Sequence, residues 1–318
     1  LISVASAPAK VILFGEHFIV YGGKAILCSI NKRVTVRSQL VTSDKIEIRS
    51  NLGSVEISKN ENLKKVDSLF RPIVYLAQKI QNQFKSDSGI KISINSEIPA
   101  GVGLGSSSAC YVATASSIWG LFAKHSRQDI LPLAIDAEKT VFENASGADP
   151  TICAYGGMME YSRNEKTRKL RVTPKFRLVV ANSNVLHSTA EVVSKVRKFK
   201  ESKPEIFLLL CKQESDLIEE AFGALEKNDL IMLGQKMQQN QTYLQQIGVS
   251  NDRLDTMIKA VGSVSYGAKL TGAGDGGCII ALVDETNQTK AIDALSNYEC
   301  FIAQIDMVGL KHEIDNTV

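Results

Sequence analysis

The run Pro99-Ala100-Gly101-Val102-Gly103-Leu104-Gly105-Ser106-Ser107-Ser108 constrains this chain more than any other segment. Three alternating glycines open backbone torsions closed to other residues and let a ligand approach the main chain. The serines that follow start a helix, whose first N–H groups lack intrahelical partners and whose N-terminus carries the positive end of the helix dipole. Loop and helix start together make an anion cradle suited to a polyphosphate. A Walker A loop ends in Gly-Lys-Ser/Thr, and no lysine occurs here. The dinucleotide fingerprint spaces its glycines G-x-G-x-x-G, whereas this loop reads G-x-G-x-G. The segment predicts phosphate binding, and alone it does not separate a kinase from any other nucleotide binder.

Strand and helix patterns alternate around the loop. Lys10–Phe14 is a short apolar run, and Lys32–Leu40, Lys45–Arg49 and Gly89–Ile94 alternate as strands do. Residues 64–84 place Val66, Leu69, Phe70, Ile73, Val74, Ala77 and Ile80 on one helical face. Helices are predicted at Ser106–Lys124, rich in small residues, and at Gln128–Glu143, with a Gly/Pro-marked loop at Ser146–Pro150. The polar stretch Arg163–Arg168 marks the expected domain boundary, between residues 1–165 and 166–318. An apolar strand, Phe176–Ala181, then precedes helices at 189–199, 204–227, 229–247 and 251–261. Ala268–Leu270 and Cys278–Val283 read as strands, Thr286–Asn297 as a helix and Cys300–Val308 as a final strand. The pattern predicts an α+β sandwich, and 318 residues accommodate two domains.

Charge and cysteine content narrow the class. A net charge of +3 is too mild to predict a nucleic-acid partner. The small basic clusters at Arg163–Arg171 and Lys195–Lys200 read as solvated faces. No apolar run approaches the roughly 18 to 20 residues of a membrane span. Leu1-Ile2-Ser3-Val4-Ala5 shows no basic region ahead of a long apolar core, so no secretory signal is expected, and a start without Met points to a trimmed end. Six cysteines without a CxxC pair, in a chain too large to need staples, predict reduced thiols in a cytoplasmic protein. Four scattered histidines give no zinc-type spacing.

Two more motifs turn the glycine loop into a family likeness. Ala7-Pro8-Ala9-Lys10-Val11-Ile12-Leu13-Phe14-Gly15-Glu16-His17 stands near one end, and Lys269-Leu270-Thr271-Gly272-Ala273-Gly274-Asp275-Gly276-Gly277-Cys278 near the other. With Pro99–Ala109 between them, these ordered motifs resemble the signature of the GHMP kinases, named for galactokinase, homoserine kinase, mevalonate kinase and phosphomevalonate kinase. The resemblance implies a two-domain GHMP kinase fold, with an N-terminal domain like domain 2 of ribosomal protein S5 and a ferredoxin-like C-terminal domain. It also implies ATP bound by Pro99, Ala100, Gly101, Val102, Gly103, Leu104, Gly105, Ser106, Ser107 and Ser108.

Phosphoryl transfer needs a cradle for the leaving phosphates, a divalent metal, an oriented hydroxyl and cationic charge. Ser107, at the helix start, offers a hydroxyl beside the phosphates, where Mg2+ prefers hard oxygen ligands. By the resemblance Glu138 is the metal-binding carboxylate, with Glu143 its local rival. Asp149, in Ser146-Gly147-Ala148-Asp149, is similar to the family's catalytic aspartate, which accepts the acceptor's hydroxyl proton or orients that hydroxyl. Lys10 matches a lysine that lies near this aspartate, favours an alkoxide-like oxygen and stabilises charge on the transferring group.

The run from Lys10 to Gly22 is similar to the mevalonate kinase branch, in its archaeal-like form, more than to galactokinases. That implies mevalonate as the acceptor, with Glu16 and His17 on its side and His17 bonded to or paired with its carboxylate. Thr189, in Val185-Leu186-His187-Ser188-Thr189, resembles a further acceptor contact. Ala9 and Asp275 depart from the glycines of many relatives. Phosphomevalonate, a sugar or homoserine remain alternative acceptors. A non-catalytic sensor is the remaining alternative, against which Lys10, Ser107, Glu138 and Asp149 are all in place. The expected partners are mevalonate and ATP, with no nucleic acid or membrane, for a monomer or homodimer.

Overall fold

A 13-residue strand, β1 (Ile2–Phe14), opens the fold and carries Lys10. It pairs antiparallel with the 17-residue β2 (Ala25–Val41), with register shifts at Pro8/Ala9 and at Ile12/Phe14. Such irregularities bend a strand and re-aim its side chains, and Lys10 lies between the two. The computed structural model describes residues 1–315 apart from 100, 144, 163, 164, 166 and 187. Three of the excluded positions fall in the expected domain boundary.

The hairpin β3 (Lys45–Ser50) and β4 (Gly53–Ser58) follows, then α1 (Arg71–Gln83) and β5 (Gly89–Ser96). Next come α2 (Ser106–Trp119), α3 (Arg127–Lys139), α4 (Ala148–Tyr155), β6 (Met158–Tyr161) and β7 (Arg168–Lys169). The later part holds β8 (Arg177–Asn182), α5 (Thr189–Ser202), α6 (Pro204–Lys227), α7 (Leu230–Gln246) and α8 (Asp252–Gly262). It ends with β9 (Gly267–Thr271), β10 (Cys278–Val283), α9 (Gln288–Ala294), β11 (Glu299–Ala303) and β12 (Lys311–Asp315).

One sheet runs β12-β1-β2-β5-β3-β4, with β6 also on β2 and β7 on β6. The other runs β11-β8-β10-β9, antiparallel throughout. Strand, helices, two strands, helix and strand in that order along the chain, with the first and third strands at the centre of the sheet, make the expected ferredoxin-like arrangement. The last strand, β12, returns to the first sheet and pairs with β1 from Ile2 to Ser6.

Small side chains let α2 lie at the centre of the first layer. Ala109, Val112, Ala113, Ala115 and Ile118 are fully buried, as are Thr114, Ser116 and Ser117. Buried hydroxyls need partners, and Ser117 finds them in the Ser3 carbonyl at 2.8 Å and the Ser38 hydroxyl at 2.8 Å. A side chain at Gly120 would strike His312, so glycine lets β12 close over the far end of α2.

Several boundaries differ from the pattern reading. α1 starts at Arg71, because residues 63–65 form a separate short turn and the Asp67 carboxylate accepts the Leu69 N–H at 2.8 Å. The stretch Ser146–Pro150 is not all loop: Gly147, at φ 77°, caps α4, and Asp149 lies in its first turn. Pro150 is tolerated there because first-turn N–H groups need no helical partner. The strand predicted at Cys300–Val308 is β11 and ends at Ala303, after which Asp306 accepts the N–H groups of Val308 and Gly309 in a turn.

Candidate active site

The glycine loop delivers α2 to an open cleft between the two sheets. Gly101, Gly103 and Gly105 have φ of 73°, 80° and 73°, a region that favours glycine. Lys10 is the reason at Gly105: a Cβ there would sit 2.6 Å from the Lys10 Cγ. The Lys10 N–H donates to the Leu104 carbonyl at 2.9 Å, fixing loop to strand. Val102 and Leu104 are buried anchors. Pro99 and residues 101–108 line the cleft, while Ala100 and His187 lie outside the described residues.

Three charged groups meet at the mouth of α2. Lys10 Nζ lies 3.0 Å from Asp149 Oδ2; the lysine side chain is 5% exposed and the carboxylate 32%. Glu138, near the end of α3, accepts from the Ser108 hydroxyl at 2.8 Å. Burial, and then the negative charge of Asp149, push the Glu138 carboxyl up to about 7. Two carboxylates against one ammonium leave excess negative charge, which a divalent cation or a proton relieves. Ser107 is exposed and lines the cleft. Ser108 is thus the serine that positions Glu138, a role the sequence reading did not give it. Consecutive helical residues point about 100° apart, so only one of the pair can face α3. Glu143, the rival carboxylate, does not line the cleft.

The second domain closes the opposite wall. Gly272 and Ala273 line the cleft, with Gly272 facing Gly103. His17 has a φ of 65° and lies buried at the cleft, its Nε2–H donating to the Ala273 carbonyl at 2.7 Å. That bond places the proton on Nε2, and burial lowers the ring's pKa. A neutral ring with Nδ1 as acceptor suits a hydroxyl donor better than a carboxylate. Thr189, at the start of α5, reaches the cleft and is exposed. Lys195 on the same helix pairs with Asp275 at 2.9 Å, so Asp275 ties α5 to the third glycine motif.

Glu16 is not at the cleft. Its carboxylate is fully buried against Lys269 of β9, away from the residues that line the cleft. The partner lies far away in sequence, so no local pattern announces the pair.

A second, apolar cavity opens beside the loop. Leu52, Leu69, Phe70, Ile73 and Tyr111 line it, and it shares Ser106, Ser107 and Phe142 with the cleft. These side chains come from separate elements, and nothing in their spacing along the chain groups them. No helix among the described residues is long and apolar enough to cross a membrane, and all six cysteines are free thiols.

Comparison with known proteins bears on this cleft. The family model "GHMP kinases N terminal domain" matches residues 71–157, and "GHMP kinases C terminal" matches residues 221–299. The chain is 33% identical to the mevalonate kinase of Pyrococcus furiosus, over 98% of each protein. It is 37% identical to that of Archaeoglobus fulgidus, over 88% of this chain and 92% of the relative. Its structure resembles the crystal structure of Methanococcus jannaschii mevalonate kinase with a TM-score of 0.85, at 28% identity, covering 95% of this chain and 98% of that one.

Proposed function

The chain belongs to the GHMP kinase family, with that family's two-domain α+β fold, and from this premise we infer that it transfers the terminal phosphoryl group of ATP to the 5-hydroxyl of mevalonate, giving 5-phosphomevalonate. The observation that carries the reading is the convergence of glycine loop, Lys10–Asp149 pair and Glu138 in one cleft. The choice of acceptor rests on the relatives, named mevalonate kinases and matched along nearly the whole chain.

In this reading the phosphates of ATP lie on residues 101–108, against the positive end of α2. The base enters the apolar cavity next to Phe70 and Tyr111, because phosphate site and cavity share the wall at Ser106 and Ser107. Lobes 1–165 and 166–318 supply the two walls of the cleft, and the C-terminal strand rejoins the first lobe.

The residues present fit Mg2+. The Glu138 carboxyl, held up to about 7 by burial and by Asp149, marks a place where negative charge is in excess, and Mg2+ takes one or two protein carboxylates plus phosphate oxygens. Glu138 and the Ser107 hydroxyl would hold it, and when bound it neutralises charge on the phosphate oxygens.

The acceptor hydroxyl sits against Asp149. Phosphoryl transfer passes through a loose transition state, so the hydroxyl proton leaves late. Asp149 works first by orienting the hydroxyl and then by taking its proton. Lys10, fixed by its own backbone bond to Leu104, offsets the charge that develops on the transferring group. His17 Nδ1 accepts from a hydroxyl of the acceptor, and Thr189 closes the same side.

The test is ADP release with Mg-ATP and a panel of mevalonate, phosphomevalonate, galactose and homoserine. Mevalonate is expected to lead in kcat/KM by about 100-fold or more, as a site built to bond specific hydroxyls allows. Faster turnover of another member of the panel would reject mevalonate while leaving the kinase assignment intact.

A further inference from the structure

The end of β1 and the turn after it are held from the second domain at Ile12, Gly15, Glu16 and His17. The Ile12 N–H donates to Thr271 Oγ1 at 3.0 Å, and that hydroxyl donates back to the Ile12 carbonyl at 2.9 Å. The Gly15 N–H donates to Glu214 Oε1 of α6 at 2.9 Å. Glu16 pairs with Lys269, and His17 bonds Ala273.

Behind this seam lies a sealed polar cluster. Asn240 of α7 donates to both oxygens of Glu214 at 2.8 Å. Glu16, Lys269, Glu214 and Asn240 are all buried, at 1%, 0%, 1% and 0% exposure, and none of them lines the cleft. Burying such groups is expensive, and apolar packing of the same volume is often as stable or more so. What the cluster grips is therefore informative: the Gly15 backbone and the Glu16 side chain, immediately before His17. That turn has bonds of its own, from the Ile19 N–H to the Gly15 carbonyl and from the Val20 N–H to the His17 carbonyl at 3.1 Å each, but its backbone conformation is unfavourable. His17 is a non-glycine residue at φ 65°, and Gly15, at φ 97°, passes so close to Lys24 that a Cβ would lie 2.3 Å from its carbonyl oxygen. Backbone in sparsely populated regions persists only where its surroundings over-determine it.

We propose that Glu214, backed by Asn240 and Lys269, is a positioning residue for the acceptor site: from the second domain it fixes the Gly15–His17 turn and so aims His17 at the acceptor. The proposal rests on the reading of His17 as acceptor-facing. Glu214 touches neither the acceptor nor ATP and acts only through the turn.

Initial-rate kinetics of full-length Glu214→Ala and Glu214→Gln with Mg-ATP and mevalonate test it. Glu214→Ala is expected to raise the KM for the acceptor about tenfold while leaving the KM for ATP within about twofold, since small misplacements of a positioned group are felt strongly at one ligand. Glu214→Gln keeps an oxygen for the Gly15 N–H and is expected to bring the acceptor KM back to within about threefold of the unaltered chain. Asn240→Ala, a milder change for the case that Glu214→Ala does not fold, is expected to raise the acceptor KM about threefold. Equal changes in both KM values, or a lowered Tm with an unchanged acceptor KM, would overturn the proposal and leave the cluster a purely structural one. Should the unaltered protein fail on mevalonate, the substrate assignment falls, and the same comparison is made with whichever acceptor it does turn over.

Discussion

Two clusters in this molecule share one charge arithmetic and differ in access to solvent. At the cleft, Lys10 stands with Asp149 and Glu138; between the domains, Lys269 stands with Glu16 and Glu214. In each, a carboxyl is pushed up to about 7, chiefly by burial and in part by a neighbouring carboxylate. The first cluster lines an open cleft, where incoming ligands can relieve its excess negative charge. The second is sealed, so its only remedy is a proton or the bonds of Asn240 and Gly15. In the proposed reading the same chemistry serves reaction in one place and fixed geometry in the other.

The largest expected effect falls on the open cluster. Asp149→Asn should lower kcat by about a thousandfold, the range of an acid–base group combined with lost electrostatic stabilisation. A thermal unfolding curve close to that of the unaltered protein would show that the loss is chemical. If Asp149→Asn turned over at full rate, the division of roles would fail at its first point.

Stability should rank the clusters the other way round. Lys269→Met strands two buried carboxylates and is expected to cost about 3–5 kcal/mol in denaturant unfolding. Lys10→Met leaves Asp149 with solvent to turn to, since that side chain is 32% exposed, and should cost clearly less. Equal losses would mean that the cleft is as sealed as the domain interface.

The pH dependence follows from the direction of each shift. The Glu214 carboxyl titrates near 7 in the folded protein against an ordinary 4.5, so the folded state binds the extra proton. Its stability contribution is full below about 4.5 and is lost as pH rises through about 7, by roughly 3 kcal/mol. Glu214→Gln should flatten that part of the stability profile. Glu138 behaves alike without metal, but in the proposed reading Mg2+ competes with the proton there. Apparent Mg2+ affinity should therefore rise by up to about tenfold per pH unit below 7 and level off above it, as expected where a ligand must first be deprotonated. Calorimetric Mg2+ titrations between pH 6 and 8 check this, and a flat profile would place the metal elsewhere. The smallest effect belongs to the periphery: Asp275→Asn breaks a partly exposed pair with Lys195 and should cost no more than about 1 kcal/mol.

Local chemistry was legible in the sequence, and long-range chemistry was not. The loop at 101–108 could be read because its proposed role is written in alternating glycines and a helix start. The ferredoxin-like half was nearly transparent, since its buried strands are continuous apolar runs such as Cys278–Val283. β12 was missed because Lys311-His312-Glu313-Ile314-Asp315 has no strand pattern and is a strand only by pairing with β1. Glu16 was assigned to the acceptor side on its place in a motif, whereas its position is set by Lys269, a residue far along the chain. Ser107 and Ser108 look alike on paper, and only the direction of α3 separates them.

The most direct test of this two-cluster account is NMR titration of 13C-labelled glutamate side chains, with Glu138→Gln and Glu214→Gln used to assign the two signals. Without ligands, both carboxyls should titrate near pH 7. On addition of Mg2+ and a non-hydrolysable ATP analogue, the Glu138 titration should move well below pH 6 while that of Glu214 stays in place. A shift of both, or of Glu214 alone, would contradict the account.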